Sequence, residues 1–156
     1  MRITITAVGR ARAGPARDLY DLYAKRIDER GFASLALKQV ECRQNLPAEA
    51  LREQEGALLL AALPDGAQVI ALDEKGKALT SRAFAELVGR ARDDGVADLA
   101  FVIGGADGLS EAVKKRATRT IAFGAMTWPH MLVRALLAEQ LYRVQTILTK
   151  HPYHRE

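Results

Sequence analysis

The sequence predicts an α/β fold, with a mainly parallel sheet flanked by helices. Stretches with alternating apolar residues, as in a strand, are interleaved with stretches whose apolar residues recur every three or four positions, as in a helix. Some strand-like stretches are apolar on both faces, which is typical of a parallel sheet covered on two sides. There is no linker, low-complexity tract or fixed-period repeat, so residues 1–156 are expected to form a single domain.

The first half of the chain contains two strand–helix units. Residues 2–9 alternate apolar and polar, which predicts a strand, and the Gly14-Pro15 break starts a helix. A second strand over residues 34–42 leads to Pro47, where a helix begins that continues through Ala62. Each helix has its apolar side chains on one stripe: Leu19, Leu22, Tyr23 and Ile27 in the first, and Leu51, Leu58 and Leu59 in the second.

The second half continues the alternation with more apolar strands. Residues 68–72 predict a short strand, 81–92 a helix, and 99–103 a strand that ends at Gly104 and Gly105. A short helix from Ser110 and a weaker strand over 120–123 follow. After a loop over 124–130, the last and longest helix is indicated by its spaced apolar residues: Leu132, Leu136, Leu137, Val144 and Ile147.

Composition excludes several classes of protein. Hydrophobic residues make up 49% and charged residues 27%, as in ordinary globular chains. The longest fully apolar run, Ala57 to Leu63, is far below the roughly 18 residues that span a bilayer. No secretory signal is visible, and the single cysteine, Cys42, excludes an internal disulfide. We therefore expect a cytoplasmic protein with no membrane partner.

The positive charge is concentrated at the C-terminal end. The net charge is +4, but residues 114–156 contain 8 Lys and Arg against 2 Asp and Glu. Such a segment is a candidate surface for the phosphate backbone of a nucleic acid. A solvated basic helix face is the ordinary alternative.

Three loops follow predicted strands and are expected to meet at one edge of the sheet. They are the glycine cluster 104–108, the polar stretch 73–77 and the mostly uncharged segment 123–128. Ligands of open α/β sheets bind at such an edge. The glycines match neither the dinucleotide fingerprint nor a Walker phosphate loop, and a simple tight turn is the alternative reading.

The polar residues near the C-terminus suggest RNA contacts rather than a metal or a nucleophile. Zinc needs three or four ligands, and Cys42 is far from the histidines His130, His151 and His154, so no metal is expected. No serine lies in a nucleophile elbow. Arg134 and Tyr142 share a helix face, for which a solvated salt-bridged face is the alternative. The last six residues contain side chains of the kinds that hold a splayed RNA base.

Three segments together resemble the small ribosomal RNA methyltransferases of the SPOUT, or trefoil-knot, superfamily. They are FVIGGADGLS, MTWPHMLVRALLAEQLYR and the terminal HPYHRE. The resemblance extends from the first strand to the last residue, and it is to the branch that methylates N3 of a pseudouridine in large-subunit rRNA. It implies a knotted C-terminal region, bent S-adenosylmethionine as the cofactor, and a homodimer with the active site at its interface.

The resemblance also implies roles for individual residues. It implies cofactor contacts at Leu72, Gly104, Phe123, Gly124, Ala125, Met126, Thr127 and Trp128. It implies catalytic roles for Arg143, Tyr153, His154 and Arg155, and substrate contacts at His130, Arg134, Tyr142 and His151. The implied substrate is pseudouridine 1915 of the 23S rRNA in the assembled ribosome.

Two questions stay open at the level of sequence. The N3 proton of the pseudouridine is lost either to a histidine or to water, with Arg155 or Arg143 stabilising the imide anion. The chain is either this enzyme or a non-catalytic ribosome-binding or RNA-binding α/β module. Saturable binding of S-adenosylmethionine would separate the two readings.

Overall fold

A computed structural model describes residues 1–151 and places five strands and five helices within them. The strands are β1 (Arg2–Val8), β2 (Ser34–Val40), β3 (Gln68–Ala78), β4 (Asp98–Ile103) and β5 (Arg119–Ala122). The helices are α1 (Pro15–Glu29), α2 (Ala48–Ala61), α3 (Ser81–Asp93), α4 (Glu111–Arg116) and α5 (His130–Leu148). The predicted α/β class is confirmed, and each predicted element is present.

The strands form one sheet in the order β2-β1-β4-β3-β5, and every pairing between them is parallel. Helices α1, α3 and α5 pack together over one face, around a core that includes Ile5, Phe101 and Leu141. Helices α2 and α4 cover the other face, where Leu59 and Val113 are buried. Because both faces are covered, β4 is apolar after Asp98, and even the threonines of β1, Thr4 and Thr6, are buried.

The prediction for residues 73–77 is wrong, because they belong to the long strand β3 instead of a loop. The pairing of β3 with β5 shifts register, so that Leu72 and Lys77 both align with Ile121. The residues between them bulge out of the ladder, and Gly76 lies directly against the Ile121 backbone. A Cβ at Gly76 would be 2.5 Å from the Ile121 carbonyl carbon. An alternating pattern could not show a strand that is interrupted and then resumes.

Local capping fixes where two of the helices begin. The Thr80 hydroxyl accepts a hydrogen bond from the Ala83 N–H at 3.1 Å at the start of α3, and Ser110 serves the same purpose for α4. Such side chains satisfy backbone donors that the first helical turn leaves free. Within residues 1–151, no helix is long and apolar enough to cross a membrane.

Candidate active site

A cavity of about 690 Å³ opens at the carboxyl ends of β4 and β5, beside the bulge of β3. Its lining includes seven of the eight residues assigned by resemblance to the cofactor: Leu72, Gly104, Phe123, Gly124, Met126, Thr127 and Trp128. The eighth, Ala125, is an exposed residue of the same loop but is not part of the lining. The sheet therefore brings three separate chain segments to one site.

The glycine turn after β4 forms a wall made largely of backbone. Gly104 packs so closely on the turn that a Cβ there would lie 2.7 Å from the carbonyl oxygen of Gly108. The turn is closed by the Gly108 N–H, which donates to the Gly105 carbonyl at 3.1 Å, and Gly108 itself has a positive φ of 79°. Three of the five residues 104–108 are glycine, so a ligand in the cavity meets main-chain groups here, together with the side chains of Ala106 and Asp107.

The loop between β5 and α5 forms the opposite wall. The indole N–H of Trp128 donates to the Phe123 carbonyl at 3.1 Å, which ties the two ends of the loop together. Gly124 allows the turn between them with a φ of 96°. Met126 is 72% exposed and Trp128 38%, so the loop presents apolar surface at the mouth of the cavity. An apolar wall facing a backbone wall suits a flat heterocycle.

A salt bridge lies at the edge of the cavity. The Lys114 ammonium is 3.3 Å from an Asp73 carboxylate oxygen, and Asp73 also accepts from the Lys75 N–H at 2.9 Å. The stretch 73–77 was expected at this edge of the sheet, and Asp73, Lys75 and Lys114 do line the cavity, but the salt bridge to Lys114 was not predicted. The pair fixes the bulge of β3 against α4.

Glu55 of α2 is a buried carboxyl behind the glycine turn. It is 9% exposed, and its Oε2 has no hydrogen-bond partner among the described residues. A Cβ at Gly105 would lie 2.9 Å from that oxygen, so the carboxyl packs directly on the turn. Burial raises the pKa of Glu55, and the charge of Asp107 raises it further. No sequence signal identified this residue, since a glutamate in an amphipathic helix usually faces solvent.

His130 begins α5 and lines the cavity. Burial lowers the pKa of its imidazole, and the nearby charge of Arg134 lowers it further. The neutral form is therefore favoured near pH 7, and it retains one ring nitrogen that can accept a hydrogen bond or a proton.

Arg134 lies one turn further along α5 and is buried, with 2% of its surface exposed. Its guanidinium donates to the Val8 carbonyl, to the Gly9 carbonyl at 2.8 Å and to the Gln39 side-chain oxygen at 3.2 Å. The alternative of a solvated salt-bridged face is therefore wrong for this part of α5. The end of β1 offers unpaired carbonyls, and the guanidinium satisfies them.

A family model described as "Predicted SPOUT methyltransferase" matches residues 1–154. The chain belongs to the SPOUT methyltransferase family. The family is consistent with a knotted C-terminal region.

Relatives of this SPOUT methyltransferase match over nearly the whole chain. A protein of Rhodospirillum centenum is 57% identical and one of Paramagnetospirillum magneticum is 53% identical, each over 99% of both chains. A protein of Nitrobacter winogradskyi is 49% identical with the same coverage. All three are named ribosomal RNA large subunit methyltransferase H.

The remaining candidate residues of this SPOUT methyltransferase lie toward the far end of α5. Tyr142 is 12 residues beyond His130, which corresponds to about 18 Å along a helix. It is 5% exposed and packs on Tyr23, with ring centroids 5.8 Å apart. The structure therefore does not bring Tyr142 to the cavity of its own chain, and the same holds for its neighbour Arg143.

Polar contacts hold this second group of candidates in place. The Arg143 guanidinium lies 2.6 Å from the Glu139 carboxylate, and the His151 Nε2 lies 3.0 Å from an Arg30 nitrogen. Tyr153, His154 and Arg155 lie outside the described residues. No group of three or more His, Cys, Asp or Glu side chains within residues 1–151 is arranged to hold a metal ion.

Proposed function

We propose that this SPOUT methyltransferase transfers a methyl group from S-adenosylmethionine to N3 of a pseudouridine in large-subunit rRNA. Pseudouridine 1915, in the assembled ribosome of the cytoplasm, is the expected target. The observation that carries the proposal is the single cavity lined by seven of the eight expected cofactor residues. The names of the relatives, which specify rRNA of the large subunit, supply the substrate class.

The cavity is suited to the cofactor in shape and chemistry. Residues 104–108 line the cavity and include three glycines, so main-chain groups there are available to a polar ribose and an amino-acid moiety. Met126 and Trp128 offer apolar surface for an adenine ring. When bound, the cofactor supplies a sulfonium methyl, an electrophile that reacts with a nucleophile held in line with it.

The residues of the chain would position the nucleobase and manage its proton. N3 of a pseudouridine is an imide nitrogen that must lose its proton to become nucleophilic. The neutral imidazole of His130 lies at the cavity and is the described group best placed to accept a hydrogen bond from the base. His154 as a proton acceptor, and Arg143 or Arg155 as cations beside the imide anion, are proposed from the resemblance and remain alternatives.

Separation of the two candidate groups supports a homodimer with a shared site. The cavity lies at the start of α5, whereas Arg143 lies about 18 Å or more along the helix from His130, and the tail follows α5 in the sequence. A two-fold dimer could place the tail of one chain over the cavity of the other. Mixed dimers of a Gly104→Arg chain with a tail-deleted chain should then recover one working site. Mixtures as inactive as either parent would contradict transfer across the interface.

The test of the function is transfer of labelled methyl from S-adenosylmethionine to ribosomes that lack the modification, with the label mapped to its base. Free rRNA and separate large subunits serve as parallel substrates. We expect incorporation at one pseudouridine N3, on assembled ribosomes only. A protein that shows no saturable cofactor binding would instead be the non-catalytic module. A protein that binds the cofactor but labels a different base would have another substrate.

A further inference from the structure

A second cavity, of about 290 Å³, lies between the β1–α1 loop and the start of α5. The loop contributes residues 10–14, the first turn of α1 contributes residues 15–17, and α5 contributes Met131 and Arg134. His130, which comes directly before Met131 in α5, lines the first cavity. The first turn of α5 therefore contributes to both cavities, and a molecule in the second would lie close to the substrate of the first.

The inner wall of this second cavity has a cation without a charged partner. Arg134 donates hydrogen bonds to two backbone carbonyls and one side-chain amide oxygen, all of them neutral groups. Its Nε has no hydrogen-bond partner among residues 1–151. No carboxylate in residues 1–151 lies within 4.0 Å of its guanidinium. A buried charge that lacks a counter-charge is destabilising, so an anion entering the cavity would gain from it.

The rim of the second cavity adds three more arginines. Arg10 lies 3.7 Å from Glu41, and Arg17 lies 2.9 Å from Asp21, so carboxylates offset these two charges. Arg12 is exposed and forms no ion pair with any residue that the structure describes. Arg12 and Arg134 together therefore leave an excess of two positive charges around the cavity.

Apolar side chains form the rest of the second cavity. Tyr20, Leu37 and Met131 line it, together with the Pro15 ring. The loop is fixed in place because the Gln39 side-chain oxygen accepts from the Ala11 N–H at 2.5 Å as well as from Arg134. A preformed apolar pocket with cations at its rim suits a ligand that combines a flat base with a phosphate.

We propose that the second cavity binds one unpaired ribonucleotide of the RNA substrate, adjacent to the nucleotide that is methylated. Its base packs on the apolar wall, and its phosphate lies between Arg12 and Arg134. This inference rests on the proposed function for the identity of the RNA. It adds a specificity site that reads the strand beside the target and uses no residue of the cofactor cavity.

Direct binding tests the pocket on the full-length protein. Backbone amide NMR shifts of residues 11–14 and of Ala16 are followed during titration with uridine 5′-monophosphate, uridine or inorganic phosphate. We expect the monophosphate to perturb these amides, and both partial ligands to bind roughly fivefold more weakly or worse, because base stacking and charge each contribute. No perturbation by the monophosphate would overturn the proposal. Inorganic phosphate binding as tightly as the monophosphate would overturn it too, since the apolar wall would then be unused.

A matched pair of variants tests the pocket on the ribosome. Ala13 is exposed and lines the cavity, so Ala13→Glu adds one negative charge where Ala13→Gln adds a neutral side chain of the same length. We expect the Glu variant to raise the KM for ribosomes at least fivefold, with kcat and the cofactor Kd unchanged. The Gln variant adds the same bulk without the charge, so its KM should stay well below that of the Glu variant. Equal KM values for the two variants would overturn the proposal.

Salt dependence identifies the phosphate contact. Arg12→Gln should lower the slope of log affinity against log salt by about 1, as the loss of one phosphate contact does. Arg90→Gln, an exposed arginine of α3 outside the cavity, is the control and should leave the slope unchanged. An unchanged slope in Arg12→Gln would refute the phosphate contact.

The two proposals fail separately. If the parent protein transfers no methyl to pseudouridine but the amides of residues 11–14 still respond to the monophosphate, the proposed function is wrong and the pocket stands. If methyl transfer is normal and neither Ala13→Glu nor Arg12→Gln changes ribosome binding, the second cavity is not an RNA site.

Discussion

Gly104→Ala tests whether the glycine turn is the wall of the cofactor site. The new methyl group would lie 2.7 Å from the Gly108 carbonyl oxygen, where ordinary contact begins at 3.4 Å. The φ of Gly104 is not in the left-handed region, so the cost comes from this collision alone. The obstacle is backbone and cannot rotate away. Overpacking of this kind costs about 1–3 kcal/mol of unfolding free energy.

The same collision should weaken cofactor binding. The turn can relieve it only by moving away from Gly104, which displaces the wall at residues 105–108 that lines the cavity. A loss of about 1.4 kcal/mol in binding would raise the Kd for S-adenosylmethionine about tenfold. Isothermal titration calorimetry with the cofactor and urea denaturation measure the two effects separately.

Gly95→Ala is the control for Gly104→Ala. Gly95 has a φ of 77°, and no atom beyond Gly95 and its chain neighbours lies within 4 Å of where a Cβ would be added. It does not line the cavity, so alanine there adds only backbone strain of about 1–2 kcal/mol. It should lower stability and leave the cofactor Kd unchanged. If Gly104→Ala also leaves the Kd unchanged while destabilising the fold, the glycine turn is not part of the cofactor site.

Three further predictions concern stability. Arg134→Met should lower the free energy of unfolding by about 2–5 kcal/mol in urea denaturation, because two strand-end carbonyls lose their donor, while the exposed Arg90→Met should change it by less than about 1 kcal/mol. The pKa of Glu55 is raised in the folded state, so the folded protein binds more protons than the unfolded chain. The free energy of unfolding should therefore fall as the pH rises from the ordinary glutamate pKa to the raised pKa of the folded state. Denaturation across that range should show this decline in the parent and a flatter profile in Glu55→Gln. Thr80→Ala should cost about 0.5–2 kcal/mol in thermal or urea unfolding through loss of the helix cap, and Thr80→Ser should restore most of it.

Sequence periodicity was sufficient for most of the fold, because each strand and helix has its own pattern of apolar residues. The second part of β3 was missed for a physical reason. Residues 73–77 are polar; the bulge ends where Gly76 lies against the Ile121 backbone, and the strand resumes because Lys77 pairs with β5. Those contacts are tertiary, so the local sequence gives no sign of them.

The candidate site was predictable to different degrees on its two sides. The loops at 104 and 123–128 follow apolar strands, and parallel topology alone brings such loops together. Glu55 belongs to α2, and its carboxyl packs against Gly105 of the glycine turn. Only the tertiary packing of α2 on this turn brings Glu55 close to the site. For Arg134 the sequence predicts a substrate contact and leaves a solvated salt-bridged face as the alternative, and neither reading anticipates that its guanidinium is buried against the Val8 and Gly9 carbonyls at the end of β1.

Arg134 connects the fold and the second cavity, and this double role determines how its function can be tested. Its hydrogen bonds to Val8 and Gly9 join α5 to β1, so its removal disturbs the sheet end as well as any bound phosphate. A loss of activity in an Arg134 variant would therefore not distinguish a structural role from substrate contact. Arg12 and Ala13 lie on the same cavity but are exposed, so their substitution changes the charge met by the RNA and leaves the core intact. If those variants change only ribosome binding, the second cavity contacts RNA. The hydrogen bonds of Arg134 to the end of β1 would then explain why this cation of the cavity is buried in the core.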